Sequence, residues 1–298
     1  MVRHEHVQAN GLRFHVAACG AGDRLALCLH GFPECWFSWR YQLPLLARLG
    51  YRVWAPDLRG YGETDRPPGR EDYAIERLMD DVAGLIDASG TRSTVLLAHD
   101  WGGIVAWYFA MRQLRSLERL VIMNVPHPAV MERAMRTWRQ LARSWYVFFF
   151  QIPRLPEALL RARHCRAIAD TFRNSATDKS RFPDAVLQVY RDHAAPPGAL
   201  TAMLNYYRAI VRGGAARQRR LGYPPIDVPT LMLWGEHDIA LGKETTYGTD
   251  AFVRNLTLRY LPNVSHWIQQ EAPETVNAIL EAWLTEQSVQ GNDAGRRS

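Results

Sequence analysis

A chain of 298 residues with 47% hydrophobic content can bury a substantial core, as one large domain or one domain with an inserted lid. Its 36 Lys and Arg against 30 Asp and Glu give a formal charge of +6 and a pI near 9.3. That excess is mostly scattered arginine, not a basic stripe interleaved with aromatics, so nucleic acid is not an expected partner.

Residues 12–18 alternate in strand fashion, and 24–29 make a stronger strand. Helical spacing over 39–49 precedes a strand at 51–55. An amphipathic helix over 75–88 ends near Gly90. The run Thr94-Val95-Leu96-Leu97-Ala98 reads as a buried strand, with a helix over 104–110 and a strand over 120–124 behind it. Strand alternating with helix predicts an α/β fold, a mostly parallel sheet covered on both faces. The rhythm breaks at Pro126-His127-Pro128, after which the pattern is helical, aromatic and arginine-rich. Strands resume at 228–234 and 256–261, a helix covers 273–285, and the polar tail 287–298 is expected to fray. The chain divides on this reading into a core part at 1–127, a helical cap at 128–222 and a second core part at 223–298. The insertion follows the sixth parallel-type strand, where it would lie over the carboxyl ends of the strands as a lid.

Chemistry concentrates at His99-Asp100-Trp101-Gly102-Gly103. A strand, a sharp turn and a helix, with small Ala98 and Gly102 beside a protruding side chain, are the pattern of a nucleophile elbow. Such elbows usually carry serine, which attacks acyl carbon. A carboxylate is suited to displacing a leaving group from saturated carbon, giving an alkyl ester that water hydrolyses. An epoxide or alkyl halide is therefore the expected substrate. An aspartate before Gly-Gly and a helix is also an ordinary helix cap, so its claim depends on partners. Asp238 follows a late strand and His266 the last one, the order in which an orienting acid and a general base are supplied. His30-Gly31-Phe32-Pro33-Glu34 follows the strand at 24–29, with Phe32 N–H and Trp101 N–H as the expected oxyanion hole.

H-G-F-P-E at 30–34, H-D-W-G-G at 99–103 and the structural motif Asp57-Leu58-Arg59-Gly60-Tyr61-Gly62 resemble the α/β-hydrolase-fold epoxide hydrolases, and the resemblance runs over nearly the whole chain. It implies an α/β-hydrolase fold with flanking helices and an all-helical cap, and a Phe32–Pro33 bond that is commonly cis in that family. It implies hydrolysis of a hydrophobic epoxide to a vicinal diol through an ester on Asp100. Asn205-Tyr206-Tyr207-Arg208 and the run from Trp145 to Gln151 resemble the family's lid segments. Tyr207 and Tyr146 there match the tyrosines that donate to the epoxide oxygen, with Tyr206 the substitute for Tyr207. An opening epoxide needs such a donor because its alkoxide is too basic to leave bare. Haloalkane dehalogenases share the aspartate elbow and are the enzymatic alternative, though many carry asparagine where this chain has Phe32. Fluoroacetate-type dehalogenases place arginines just after the nucleophile, where this chain has Trp101 and Ile104. A non-catalytic ligand-binding protein on the same scaffold is the alternative outside enzymes.

Trp101, Phe32, Phe149 and Trp267 are the expected substrate contacts, with Trp138, Trp145 and Phe148 as further apolar candidates. No cofactor and no metal are expected. His4, His6 and His15 lack an acidic or cysteine partner at ligand spacing, His30 and His99 read as supports, His127 as structural, and His164 and His193 as unremarkable. Gly60-Tyr61-Gly62 is too short for a dinucleotide fingerprint, and the arginines at 212–220 read as a solvated face. Cys19, Cys28, Cys35 and Cys165 show no C-x-x-C pair, the opening Val2-Arg3-His4-Glu5-His6 is polar, and the longest apolar run, 145–150, is too short to cross a bilayer. These features lead to a cytoplasmic expectation, with a small hydrophobic epoxide and a second copy in a homodimer as partners.

Overall fold

The computed structural model describes residues 1–294. Eight strands form one sheet: β1 (Arg3–Ala9), β2 (Leu12–Cys19), β3 (Arg24–Leu29), β4 (Arg52–Pro56), β5 (Ser93–His99), β6 (Arg119–Met123), β7 (Thr230–Gly235) and β8 (Leu256–Leu261). Their order is β1-β2-β4-β3-β5-β6-β7-β8. From β4 to β8 all neighbours are parallel, while β2 pairs antiparallel with both β1 and β4. Only β2 therefore runs against the rest. The insertion does follow the sixth strand, but that strand is the fifth in the common direction.

Alternation within the central strands explains their near-continuous apolar sequence. Leu25, Leu27 and Leu29 of β3 enter one core with Leu96 and Ala98 of β5, while Ala26, Cys28, Val95 and Leu97 enter the other. A strand buried on both faces needs apolar residues at every position. The first core lies under the helices Ile75–Ser89 and Asp100–Arg112 and the inserted segment. The second lies under Gln42–Arg48 and Pro273–Ala294. Strand β1 escaped the periodicity reading because its sequence is polar and it sits at the sheet edge, mostly exposed.

The single helix expected over 39–49 divides into a 3-10 turn at Trp36–Trp39 and a helix at Gln42–Arg48. Pro44 has no N–H to give the Arg40 carbonyl, so the helix cannot continue from upstream. Between β6 and β7 the described residues contain helices and no named strand, from Pro128–Ala134 to Ala215–Arg220. The last helix, Pro273–Ala294, runs past the expected end at 285 and takes in most of the tail expected to fray; 295–298 lie outside the described residues. Among the described residues no helix is long and apolar enough to cross a membrane.

Candidate active site

Parallel strands bring their carboxyl ends to one edge, and every acid–base candidate leaves a strand there. Phe32 follows β3, Asp100 β5, Asn124 β6, Asp238 β7 and His266 β8. Asp100 stands at the β5–helix junction with φ 48°, in the left-handed region, which lifts its side chain out of the turn. The turn needs glycine beside it. A Cβ on Gly102 would come within 2.4 Å of the Leu29 carbonyl oxygen, and one on Gly31 within 2.3 Å of the Asp100 Cβ.

The Phe32 N–H donates to Asp100 Oδ1 at 2.7 Å, and the Phe32–Pro33 bond is cis. Asp100 Oδ2 lies 3.6 Å from His266 Nε2. On the far side of that ring, Nδ1 is 2.6 Å from Asp238 Oδ2. Asp238 is saturated with donors: the Asn124 amide at 2.9 Å on Oδ2, and the Ala240 and Leu241 N–H groups, each at 2.9 Å, on Oδ1. Asn124 Oδ1 accepts the Gly235 N–H at 2.8 Å, tying the end of β6 to β7. Sequence reasoning placed Asn124 inside a strand and missed this role. The structure ends β6 at Met123 and puts Asn124 at φ 44°, a conformation asparagine tolerates better than most residues.

A second buried layer fixes the loops. Glu34 Oε2 accepts the Gly31 N–H at 2.9 Å and faces His99 Nδ1 at 2.8 Å, while Glu34 Oε1 accepts the amides of Gln269 at 3.1 Å and Gln270 at 2.8 Å. His99 Nε2 donates to the His266 carbonyl at 2.8 Å. Glu34 and His99 thus join the loops after β3, β5 and β8.

Burial opposes charge on Asp100, Asp238 and His266 alike. For Asp100, the neighbouring imidazoles and the Phe32 amide outweigh burial and hold its carboxyl below the ordinary range. Asp238 is lowered likewise, by His266 and by its amide donors. His266 is raised well above an ordinary histidine because two carboxylates flank it.

A cavity of about 340 Å³ opens over Asp100. Trp101, Tyr146 and Tyr207 line it together with Ile104 and Tyr108 of the helix that Asp100 opens, and Met131, Met135, Val211 and Tyr223 add to its wall. The Tyr146 and Tyr207 rings lie 5.9 Å apart, and Tyr207 packs edge-on against Trp101 at 4.9 Å and Phe32 at 5.4 Å. Burial, helped by the Asp100 charge, raises both phenols above their ordinary value, so both stay protonated donors. Tyr206 points elsewhere, its O–H donating to the Arg59 carbonyl at 2.8 Å.

The expected apolar contacts divide differently. Trp101 lines the cavity, whereas Phe32, Phe149 and Trp267 are not among its walls. Phe32 and Phe149 pack against Phe150, and Trp267 stands edge-on to His266 at 5.0 Å and against Phe172 at 4.2 Å, donating to Ser175 Oγ at 2.7 Å. Trp138, Trp145 and Phe148 are exposed, on the outer faces of two short helices.

The alpha/beta hydrolase fold family matches residues 27–273 of the chain. The AB hydrolase superfamily protein YfhM of Bacillus subtilis is 38% identical over 289 residues, covering 96% of this chain and 99% of its own length. Epoxide hydrolase 4 of Mus musculus is 38% identical over 289 residues, 95% of this chain and 79% of the mouse protein. Among solved structures, the Bacillus megaterium epoxide hydrolase in complex with an inhibitor superposes with a TM-score of 0.87 at 29% identity, over 94% of this chain and 99% of that one.

Proposed function

Because the chain belongs to the epoxide hydrolases of the alpha/beta hydrolase fold family, we propose that it adds water to a hydrophobic epoxide and releases a vicinal diol. One observation carries the reading: the Asp100 carboxylate and the phenols of Tyr146 and Tyr207 border the same cavity, with the His266 imidazole 3.6 Å from that carboxylate. Residues 128–222 act as the cap that supplies the phenols, and the core parts at 1–127 and 223–298 supply the acid–base groups.

The epoxide oxygen accepts hydrogen bonds from Tyr146 and Tyr207. Asp100 Oδ1 is held by the Phe32 N–H, so Oδ2 attacks a ring carbon. The ring C–O bond breaks, its electron pair stays on oxygen, and a phenol protonates that oxygen. Asp100 is now a neutral ester. His266 has lost one of its two anionic neighbours, so its hold on its proton weakens; that proton passes through solvent to the phenolate and the ring becomes a base. Oriented by Asp238, His266 takes a proton from water as that water attacks the Asp100 carboxyl carbon. Negative charge collects on Oδ1, where the Phe32 N–H and, in this proposal, the Trp101 N–H receive it. Collapse breaks the ester C–O bond and passes the attacking water's remaining proton to the departing alkoxide, which frees the diol, restores the carboxylate and leaves His266 protonated as at the start. The apolar cavity wall favours aryl or alkyl substituents.

Product analysis by mass spectrometry, with aryl and alkyl epoxides offered beside matched haloalkanes, tests the reaction. Diol without halide release is the expected result. Halide release without diol would overturn it. Asp100→Ala is expected to abolish turnover in a protein that still melts cooperatively, and retained activity would remove Asp100 as the nucleophile.

A further inference from the structure

A second cluster of reactive side chains lies where the inserted helix Asp184–Ala194 rests on the core. Cys35 comes from the loop after β3, Asp57 from the loop after β4 and His193 from the helix. The Cys35 sulfur, an Asp57 carboxylate oxygen and a His193 ring nitrogen all lie within 4.8 Å of one another. Cys35 and Asp57 are fully buried, while His193 is partly exposed and leaves a path from solvent.

The His193 ring is oriented by its neighbours. Nδ1–H donates to the Val189 carbonyl at 2.8 Å, and Nε2 faces Asp57 Oδ2 from 4.0 Å, beyond hydrogen-bond reach. With Nδ1 engaged by that carbonyl, Nε2 is the ring nitrogen turned towards the carboxylate and the sulfur, where a cation could sit between the three. The surroundings resemble the outer layer of a metal site. Asp57 Oδ1 accepts the Trp36 N–H at 2.9 Å, and Oδ2 is 2.7 Å from His15 Nδ1, whose other nitrogen meets His4 at 2.9 Å.

We propose that Cys35, Asp57 and His193 bind a Zn²⁺ ion, with a fourth position left to water, so that the metal joins the inserted helix to the core. Thiolate, imidazole and carboxylate are a zinc donor set. Bonds of about 2.0–2.3 Å place the ligand atoms of a tetrahedral site roughly 3.3–3.6 Å apart, so loading draws the three inward by about 1 Å. The partly exposed His193 side chain is the one with room to move. On binding, the S–H bond breaks, the Zn–S bond forms, the proton goes to solvent, and nothing is oxidised or reduced. Sequence spacing gives no sign of this group, because 35, 57 and 193 are far apart in the chain.

The full-length protein, stripped with chelator and dialysed, is titrated calorimetrically with zinc chloride in two buffers of different ionisation enthalpy. One Zn²⁺ per chain with proton release is expected, and Cys35→Ser and His193→Gln should each weaken binding at least tenfold. Zinc should raise the melting temperature of the wild type and not of either variant, whose metal-free melts report folding separately. No binding, or an affinity unchanged in both variants because exposed His4 and His6 hold the ion, would overturn the proposal.

Discussion

His266 Nε2 stops 3.6 Å from the Asp100 carboxylate, longer than the roughly 2.9 Å of a good hydrogen bond. The two are an ion pair at arm's length rather than a tight hydrogen bond, and in the proposed scheme the ring serves the later step. His266→Gln is expected to form the ester and fail to hydrolyse it. Intact-protein mass spectrometry after exposure to an accepted epoxide should show one added substrate mass. An accepted epoxide that leaves no adduct would contradict a two-step reaction.

The phenols should act in the other step. Replacing both Tyr146 and Tyr207 by Phe is expected to slow ester formation by about 10²–10⁴-fold, the usual worth of a proton donor, while leaving ester hydrolysis within a few-fold. Single-turnover kinetics separate the two rates. Tyr206→Phe removes only the bond to the Arg59 carbonyl, so it should lose about 1 kcal/mol of stability and leave ring opening intact. A Tyr206 variant defective in ester formation would reassign the donor.

Charge in the site also makes stability depend on pH. Asp100 and Asp238 are lowered, so their contribution is present above the unfolded value near ~3.9 and fades as pH falls through the folded values. His266 is raised, so its contribution is complete below about 6.5 and is lost as pH rises through its folded value. The melting-temperature difference between wild type and His266→Gln should therefore shrink as pH rises above about 6.5. A difference independent of pH would show that the charge on His266 does not matter to stability.

Asn124 is the neutral member of the constellation. Asn124→Gly keeps the left-handed backbone and deletes the amide that holds Asp238 and Gly235. Leaving the buried Gly235 N–H unpaired should cost about 1–3 kcal/mol in chemical denaturation. Ester hydrolysis should slow about tenfold for each ~1.4 kcal/mol of lost imidazolium support, with ester formation much less affected. Equal slowing of both steps would point to general loosening of the site.

Sequence pattern reached far into this molecule: β3 is central and buried on both faces, so its apolar run is readable to the residue, and the half-buried edge strand β8 matches its expected bounds as well. The elbow pattern picked out Asp100, and chain order then picked out Asp238 and His266, since in a parallel sheet the ends of successive strands must gather at one edge. Orientation about an axis was less legible. Adjacent Tyr206 and Tyr207 differ by about 100° around their helix, and only packing decides that Tyr207 meets the cavity. The same loss of angular information made Phe149 and Trp267 look like substrate contacts. Asn124 was hidden because a single residue in the left-handed region leaves no periodic trace.

Asp100, Ile104 and Tyr108 fall on one face of one helix, and all three border the cavity. Each step of four residues advances about 6 Å along the axis. The element that presents the carboxylate is consequently also a ruler, graduated in helical turns, for whatever extends from the reacting carbon. Bulk added at Ile104 would stop a substituent one mark along, and bulk at Tyr108 two marks along, with the chemistry at the zero of the scale undisturbed.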